Sequence, residues 1–363
     1  MSARARAQSL LAELAARDVR RSIRTARPGF IDFASNDYLG LSRLPEVRAA
    51  MRAPGVVGSG GSRLLSGAHP EHAALEEELA RFVRRERALL FSSGYLAALG
   101  ILQAAAPLAV AAYSDERNHA SIIDGLRLTK LPRTIYAHGK PPARSERFAP
   151  ALIVTESVFG MSGARADLAG HLADLGPDDL LVVDEAHALG VYGAAGAGIA
   201  SAFDDDRIVI IGTLSKAFGC AGGFVAGASE IIELLISTAR SFIFDTSLPP
   251  PIAAAARAAL RALAQGDALR TALNAHVMRL HDGLCTLDRF SLAAPAPIVP
   301  LIVGEAREAL ALAEALAAHQ IFAPAIRPPT VPPGRSQLRL VLRADHTPAE
   351  IDALLRALAA ARV

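Results

Sequence analysis

One lysine stands alone in an apolar, glycine-rich run. In IVIIGTLSKAFGCAGGFVAG, from Ile208 to Gly227, Lys216 is the sole charged side chain, and the whole chain holds only Lys130 and Lys140 besides it. A strand closing at Gly212 and a turn through Thr213, Leu214 and Ser215 leave this amine with little water, where desolvation disfavours the ammonium and lowers its pKa. Such an amine is a nucleophile that condenses with an aldehyde. The competing readings are a chance lysine at a strand end and a membrane span with one snorkelling charge. So many glycines around a central lysine suit a bilayer helix poorly.

A second group sits at the end of LLVVDEAHALG, where four apolar residues precede Asp184, Glu185 and His187. Carboxyl ends of parallel strands are where open α/β sheets place ligands, and a buried carboxylate there needs a cationic partner. DEAH also occurs in nucleotide-dependent helicases, yet the chain has no GxxxxGK[ST] phosphate loop. A third group is Ser93, Gly94 and Tyr95, between a short apolar strand at 88–91 and an apolar helix. Free N–H groups and a positive dipole end meet at such a helix start, which suits a phosphate. By itself the pattern is better read as an ordinary tight turn. Taken together, an aldehyde-binding lysine, an aspartate for a protonated ring nitrogen and a phosphate cradle make up pyridoxal 5'-phosphate chemistry, in which the pyridinium is an electron sink.

The elements that must position these groups are legible as short apolar runs bounded by turns, at 151–155, 180–184 and 208–212. They describe a doubly wound α/β fold with a parallel sheet covered on both faces. An amphipathic N-terminal arm occupies 1–35, with a loose helical pattern from Leu10 to Arg24. Pro70 opens a helix along Leu75, Leu79 and Phe82. Composition shifts at Asp245, where Pro249–Pro251 break the chain. The division expected is an arm at 1–35, a large cofactor-binding domain at 36–245 and a small α+β domain at 246–363. The latter has strands at 298–303, 321–325 and 338–342, and a last helix with Thr347, Pro348 and Glu350 in capping-box order.

With 363 residues, 52% hydrophobic, 20% charged and a net charge of +2, the chain has apolar material for a large core. Scattered arginines argue against nucleic acid as a partner. No apolar run of eighteen residues and no signal-peptide pattern is visible, so neither a membrane span nor export is expected. Cys220 and Cys285 form neither a disulfide framework nor a metal site; both are expected to be buried small hydrophobes in a reducing cytoplasm.

SNDYLGLS, SGAHPEHAALEEELA, SSGY, NHAS, TESVFGMSG, DEAHALGVYG, GTLSKAFG, TSLPP and IRPPTVP, in this order along nearly the whole chain, resemble the α-oxoamine synthases. These are type I pyridoxal phosphate enzymes that join an amino acid to an acyl thioester and release carbon dioxide. IRPPTVP, from Ile326 to Pro332, resembles the branch that takes L-alanine and a pimeloyl thioester, carried by coenzyme A or acyl carrier protein. The alternative within the family is glycine with another acyl-coenzyme A. The resemblance implies the type I pyridoxal phosphate-dependent transferase fold, a mostly parallel sheet between helices with a smaller C-terminal α+β domain, and a homodimer in which DTSLPP reaches the neighbour's phosphate.

Roles follow by position. Lys216 would bind the aldehyde and take the substrate α-proton, Asp184 would hold the ring nitrogen, His187 would meet the phenolic oxygen and His119 would cover the ring face. Ser93, Gly94, Tyr95 and Thr213 would hold the phosphate. Arg327, Thr330 and an N-terminal arginine would engage substrate, Arg20 being favoured over Arg21. One departure stands out: Gly160 replaces a serine common after VF, so a hydroxyl to the ring oxygen is missing or comes from Ser157 or Ser162.

Overall fold

A computed structural model describes residues 1–23, 28–287, 289–290 and 293–361. It divides into a larger unit, 36–160 with 164–271, and a smaller one, 1–35 with 161–163 and 272–363. Along the chain the elements are α1 (Ala3–Ala16), β1 (Ile31–Asp32), α2 (Pro45–Ala50), α3 (Pro70–Phe82), β2 (Arg87–Phe91), α4 (Gly94–Ala105) and β3 (Ala111–Asp115). There follow α5 (Ala120–Leu128), β4 (Arg133–Tyr136), β5 (Ala151–Glu156), α6 (Leu168–Ala173), β6 (Leu180–Asp184), β7 (Ile208–Thr213), β8 (Gly223–Gly227), α7 (Ser229–Thr238), α8 (Arg240–Ile243) and α9 (Pro250–Ala264). The C-terminal elements are α10 (Asp267–Cys285), β9 (Ile298–Gly304), α11 (Ala306–Ala318), β10 (Ile321–Phe322), β11 (Ala325–Ile326), β12 (Ser336–Val341) and α12 (Pro348–Ala360).

The larger unit is built on a seven-stranded sheet in the order β2-β8-β7-β6-β5-β3-β4. Strands β3 to β7 are parallel, whereas β8 runs antiparallel to both neighbours. The reversal has a simple cause. Only Leu214 to Gly222 connect β7 to β8, too short a link for the crossover that a parallel neighbour requires. That link carries Lys216.

Strands β5 to β8 are buried almost throughout, as their unbroken apolar sequences require. One face of the sheet packs Leu152, Val154, Val182, Val209 and Ile211 with Ala97, Ile101 and Leu102 of α4. Each large side chain so buried contributes roughly 1.5–3 kcal/mol. Because β3, β5, β6 and β7 are parallel, their C-terminal residues Asp115, Glu156, Asp184 and Thr213 emerge at one edge.

Two expectations are corrected. Asp245 does not end the larger unit, which continues to Thr271. The alanine-rich face of α9 buries Ala255, Ala256 and Ala259 and packs on α2 and α3. The strand expected at 321–325 splits at Pro324, which has no N–H for a ladder. Thus β10 pairs parallel with β1, and β11 pairs antiparallel with β12.

In the smaller unit β11, β12 and β9 form an antiparallel sheet, covered by α11 with Leu312 and Leu316 buried, and α12, with Ile351 and Leu354 buried, packs on α11. Thr347 caps α12, its hydroxyl accepting from Glu350 N–H at 3.3 Å while the Glu350 carboxylate accepts from Thr347 N–H at 2.7 Å. Helix α1 covers 3–16 rather than beginning at Leu10, and none of its residues is buried; Arg24 lies outside the described residues. Cys220 is half-buried, but Cys285 is exposed at the last turn of α10, where its sulfur faces solvent while Leu284 turns inward. Among the described residues no helix is long and apolar enough to cross a membrane.

Candidate active site

The edge formed by the parallel strand ends is charged and almost dry. Glu156 and Asp184 face one another in register across β5 and β6, 4% and 7% exposed. Asp184 Oδ1 accepts from Ala186 N–H at 2.9 Å. Three residues beyond β7, Lys216 Nζ lies 2.9 Å from His187 Nε2. His187 Nδ1 in turn lies 2.7 Å from Tyr38 Oη. The DEAH letters therefore separate by role. Asp184 and His187 belong to this edge, while fully buried Glu185 accepts from Ile199 N–H at 2.9 Å and Ala200 N–H at 2.8 Å and ties down the following loop. Burial pushes the Glu185 carboxyl up to about 7, against the pull of those two N–H groups.

Ser93 caps α4, its hydroxyl accepting from Leu96 N–H at 3.2 Å. The first-turn N–H groups at Gly94 and Tyr95 have no carbonyl partner inside a helix. This helix start is pressed against the ends of β7 and β8: a Cβ on Gly223 would fall 2.4 Å from Gly94 N, and one on Gly94 would fall 3.1 Å from Thr213 Cβ. Any larger residue at 223 would push the cradle away from Thr213. The Thr213 hydroxyl lies 2.8 Å from Ser215 Oγ. The Tyr95 side chain takes no part, its hydroxyl donating to Asp124 on the surface.

His119 caps α5, Nδ1 accepting from Ser121 N–H at 3.2 Å. Desolvation lowers its pKa, Asp184 opposes that shift and Lys216 adds to it, so lysine, aspartate and histidine share one electrostatic neighbourhood. Glu156 belongs to it too. Desolvation and the facing Asp184 push its carboxyl up to about 8, against the pull of Lys216 and of N–H groups from Gly160 and His119.

A lysine amine, an acid at a strand end, an imidazole in the same electrostatic neighbourhood and a helix start beside a hydroxyl are what an aldehyde-bearing, phosphorylated pyridine would need, so these residues fit pyridoxal phosphate. At the departure from the family pattern, a Cβ on Gly160 would fall 2.4 Å from His187 Nε2, so the imidazole occupies space a serine would take. The Ser157 hydroxyl faces the Asp184 carbonyl at 3.4 Å, and Ser162 lies in the smaller unit. Tyr38 and Glu156 escaped the reading of single residues, although both sit inside motifs it used, SNDYLGLS and TESVFGMSG.

The smaller unit has its own cavity, of about 530 Å³, lined by Arg20, Arg21, Arg327 and Thr330 with apolar Leu310 and Phe322. Arg21 Nη2 donates to Thr330 Oγ1 at 2.8 Å, while Arg327 donates to the carbonyls of Asp18 and Arg20. Both candidate arginines thus reach the cavity, and Arg21 rather than Arg20 carries its guanidinium to Thr330. Among the described residues no cluster of His, Cys, Asp and Glu could hold a metal ion.

Residues 28–358 match the family described as aminotransferase class I and II. The chain is 44% identical over 344 residues to the 8-amino-7-oxononanoate synthase of Marinobacter nauticus, covering 92% of this chain and 87% of that one. Among solved structures it resembles a serine palmitoyltransferase from S. paucimobilis with a bound PLP–myriocin aldimine, at TM-score 0.88 and 28% identity over 99% of this chain and 98% of the other. It also resembles the 8-amino-7-oxononanoate synthase of Francisella tularensis, at TM-score 0.78 and 29% identity over 92% and 98%.

Proposed function

The chain belongs to the class I and II aminotransferase family, and from that membership together with its half-buried lysine site we infer that it makes 8-amino-7-oxononanoate, for biotin, from L-alanine and a pimeloyl thioester with loss of carbon dioxide. The observation that carries the reading is Lys216 Nζ at 2.9 Å from His187, in the same electrostatic neighbourhood as Asp184 and His119. When bound, pyridoxal phosphate supplies an electron sink for the pair of electrons left at alanine Cα.

The residues do the rest. Lys216 would hold the aldehyde and move the proton at Cα, as an amine in a desolvated setting can. Asp184 keeps the ring nitrogen protonated, and neutral Glu156 beside it spares that ion pair a second negative charge. Ser93, Gly94, Tyr95 and Thr213 receive the phosphate at the start of α4. His119, beside Asp184 and Lys216, would cover the ring. Arg21, Arg327 and Thr330 meet the carboxylate end of the acyl chain, with Leu310 and Phe322 along its methylenes. A homodimer in the cytoplasm belongs to the same reading, supported by the exposure of Val57, Leu65 and Phe244 on the larger unit.

Turnover of alanine with a pimeloyl thioester, compared with glycine and acetyl-coenzyme A, tests the choice of substrates. The first pair is expected to react faster; faster reaction of the second would reassign the chain to a glycine-using branch.

A further inference from the structure

Two helices of the larger unit carry opposite ends of the cofactor site read above. The start of α4 offers the N–H groups of Gly94 and Tyr95 to a phosphate, and α5 is capped by His119. These helices pack against one another. Tyr95, Ala98 and Leu102 lie at i, i+3 and i+7, along one face of α4. That face meets α5 at a glycine: a Cβ on Gly125 would fall 2.6 Å from Leu102 Cδ1 and 3.4 Å from the Ala98 carbonyl oxygen. Ala98, Leu102, Ile122 and Leu126 are buried in the same core.

Beside that contact Tyr95 Oη donates to Asp124 Oδ2, while Asp124 Oδ1 accepts from Arg127 Nη1 at 3.1 Å. The hydrogen bond to Tyr95 holds the Asp124 carboxyl below its usual range, and Asp124 in turn raises the phenol. The phenol therefore stays the donor and the carboxylate the acceptor. Apolar packing at Gly125 brings the helices close but is non-directional, whereas a hydrogen bond fixes one helix along the other. Asp124 follows His119 by five residues on the same helix, about 7.5 Å along its axis. Moving one moves the other. Tyr95 thus belongs by its N–H to one end of the site and by its hydroxyl to the helix that carries the other end.

We propose that Tyr95 is a positioning residue whose hydroxyl, clasped to Asp124, sets the spacing between the phosphate cradle at the start of α4 and His119 at the start of α5. The proposal rests on the reading of these residues as a pyridoxal phosphate site. Phenylalanine at 95 keeps the backbone N–H and the ring and removes only the clasp, so its effect belongs to the hydroxyl.

The test titrates the full-length, cofactor-free protein with pyridoxal 5'-phosphate and with pyridoxal, and follows hydrogen exchange at 120–124 before either is added. Tyr95→Phe and Asp124→Ala are each expected to weaken the Kd for pyridoxal 5'-phosphate about 3- to 10-fold and to speed exchange at the start of α5. Pyridoxal has no phosphate and engages one end only, so its Kd should not change. The double variant should match the weaker single one, because one interaction is lost once. Arg127→Ala keeps the clasp and should stay within about two-fold of wild type. An unchanged Kd in Tyr95→Phe, an equal loss for pyridoxal, additive effects in the double variant, or an equal loss in Arg127→Ala would overturn the proposal. If Asp124→Ala fails to fold, Asp124→Asn takes its place and should change nothing once the Tyr95 hydroxyl is gone. Wild-type protein unable to bind pyridoxal 5'-phosphate would overturn the reading of the site instead, and exchange in the cofactor-free protein still decides the clasp.

Discussion

The strand-end site of the larger unit and the arginine-lined cavity of the smaller one use charge in opposite ways. At the strand ends Glu156, Asp184 and His187 are at most 8% exposed, and Lys216 is half-buried against His187, so each charge is expensive and each partner fixed. In the cavity Arg20 and Arg21 are exposed and the Arg327 fork rests on backbone carbonyls. Groups of this kind can exchange partners for a ligand with little rearrangement. The first region suits bond making, the second recognition.

The sharpest break in this contrast would come from Lys216→Ala, which is expected to lower turnover by more than about 10³-fold. It should also remove the visible absorbance of the lysine-linked cofactor, read by a spectrum of the purified protein; retained turnover would refute the role of the lysine. Arg21→Ala and Arg327→Ala should act otherwise. Loss of a charged hydrogen bond of about 1.5–3 kcal/mol predicts that KM for the acyl thioester rises roughly 10–100-fold while kcat stays within a few-fold. Steady-state kinetics with varied thioester separates the two patterns, and a collapse of kcat in either arginine variant would erase the distinction.

The pH response should differ in sign between the regions. Glu156 has its pKa raised from 4.5 to about 8, so the folded protein binds its proton more tightly than the unfolded chain. Its contribution to stability is complete below 4.5 and lost as pH rises through about 8. In the smaller unit the Arg279 guanidinium holds Asp352 below its ordinary 3.8, so that contribution is present above 3.8 and lost in acid. Thermal melts of the cofactor-free protein should show Tm falling from pH 5 to 9, with Glu156→Gln flattening the fall. A wild-type curve that stays level there would sink the assignment of a neutral Glu156.

The smallest effects compare two helix caps. Ser93→Ala and Thr347→Ala should each cost about 1 kcal/mol of stability by denaturant titration. Only Ser93→Ala should weaken retention of pyridoxal phosphate, measured by dialysis. Equal retention in both variants would remove the start of α4 from the phosphate site.

Much of the larger unit was legible because its strands are buried on both faces and read as unbroken apolar runs. The three central strands, the helix opened by Pro70 and the cap at Thr347 come directly from such patterns. Strand β4 was not legible, since Arg133, Thr134 and Ile135 are exposed and RTIY has no apolar continuity. The end of the larger unit was misplaced at Asp245, just ahead of Pro249–Pro251, because proline also opens helices, and α9 begins at Pro250.

Sequence alone determined the groups of the site, since an isolated lysine, an aspartate ending an apolar strand and a small-residue turn before a helix are chemical facts of local order. Tertiary structure alone decided their partners. Lys216 meets His187 from another strand's loop, His187 meets Tyr38 from a distant turn, and Glu156 faces Asp184 through strand register. It also decided that Arg21, rather than Arg20, reaches Thr330. Hydrogen-bond partners and desolvation depend on what folds against a residue, which no local stretch of chain encodes.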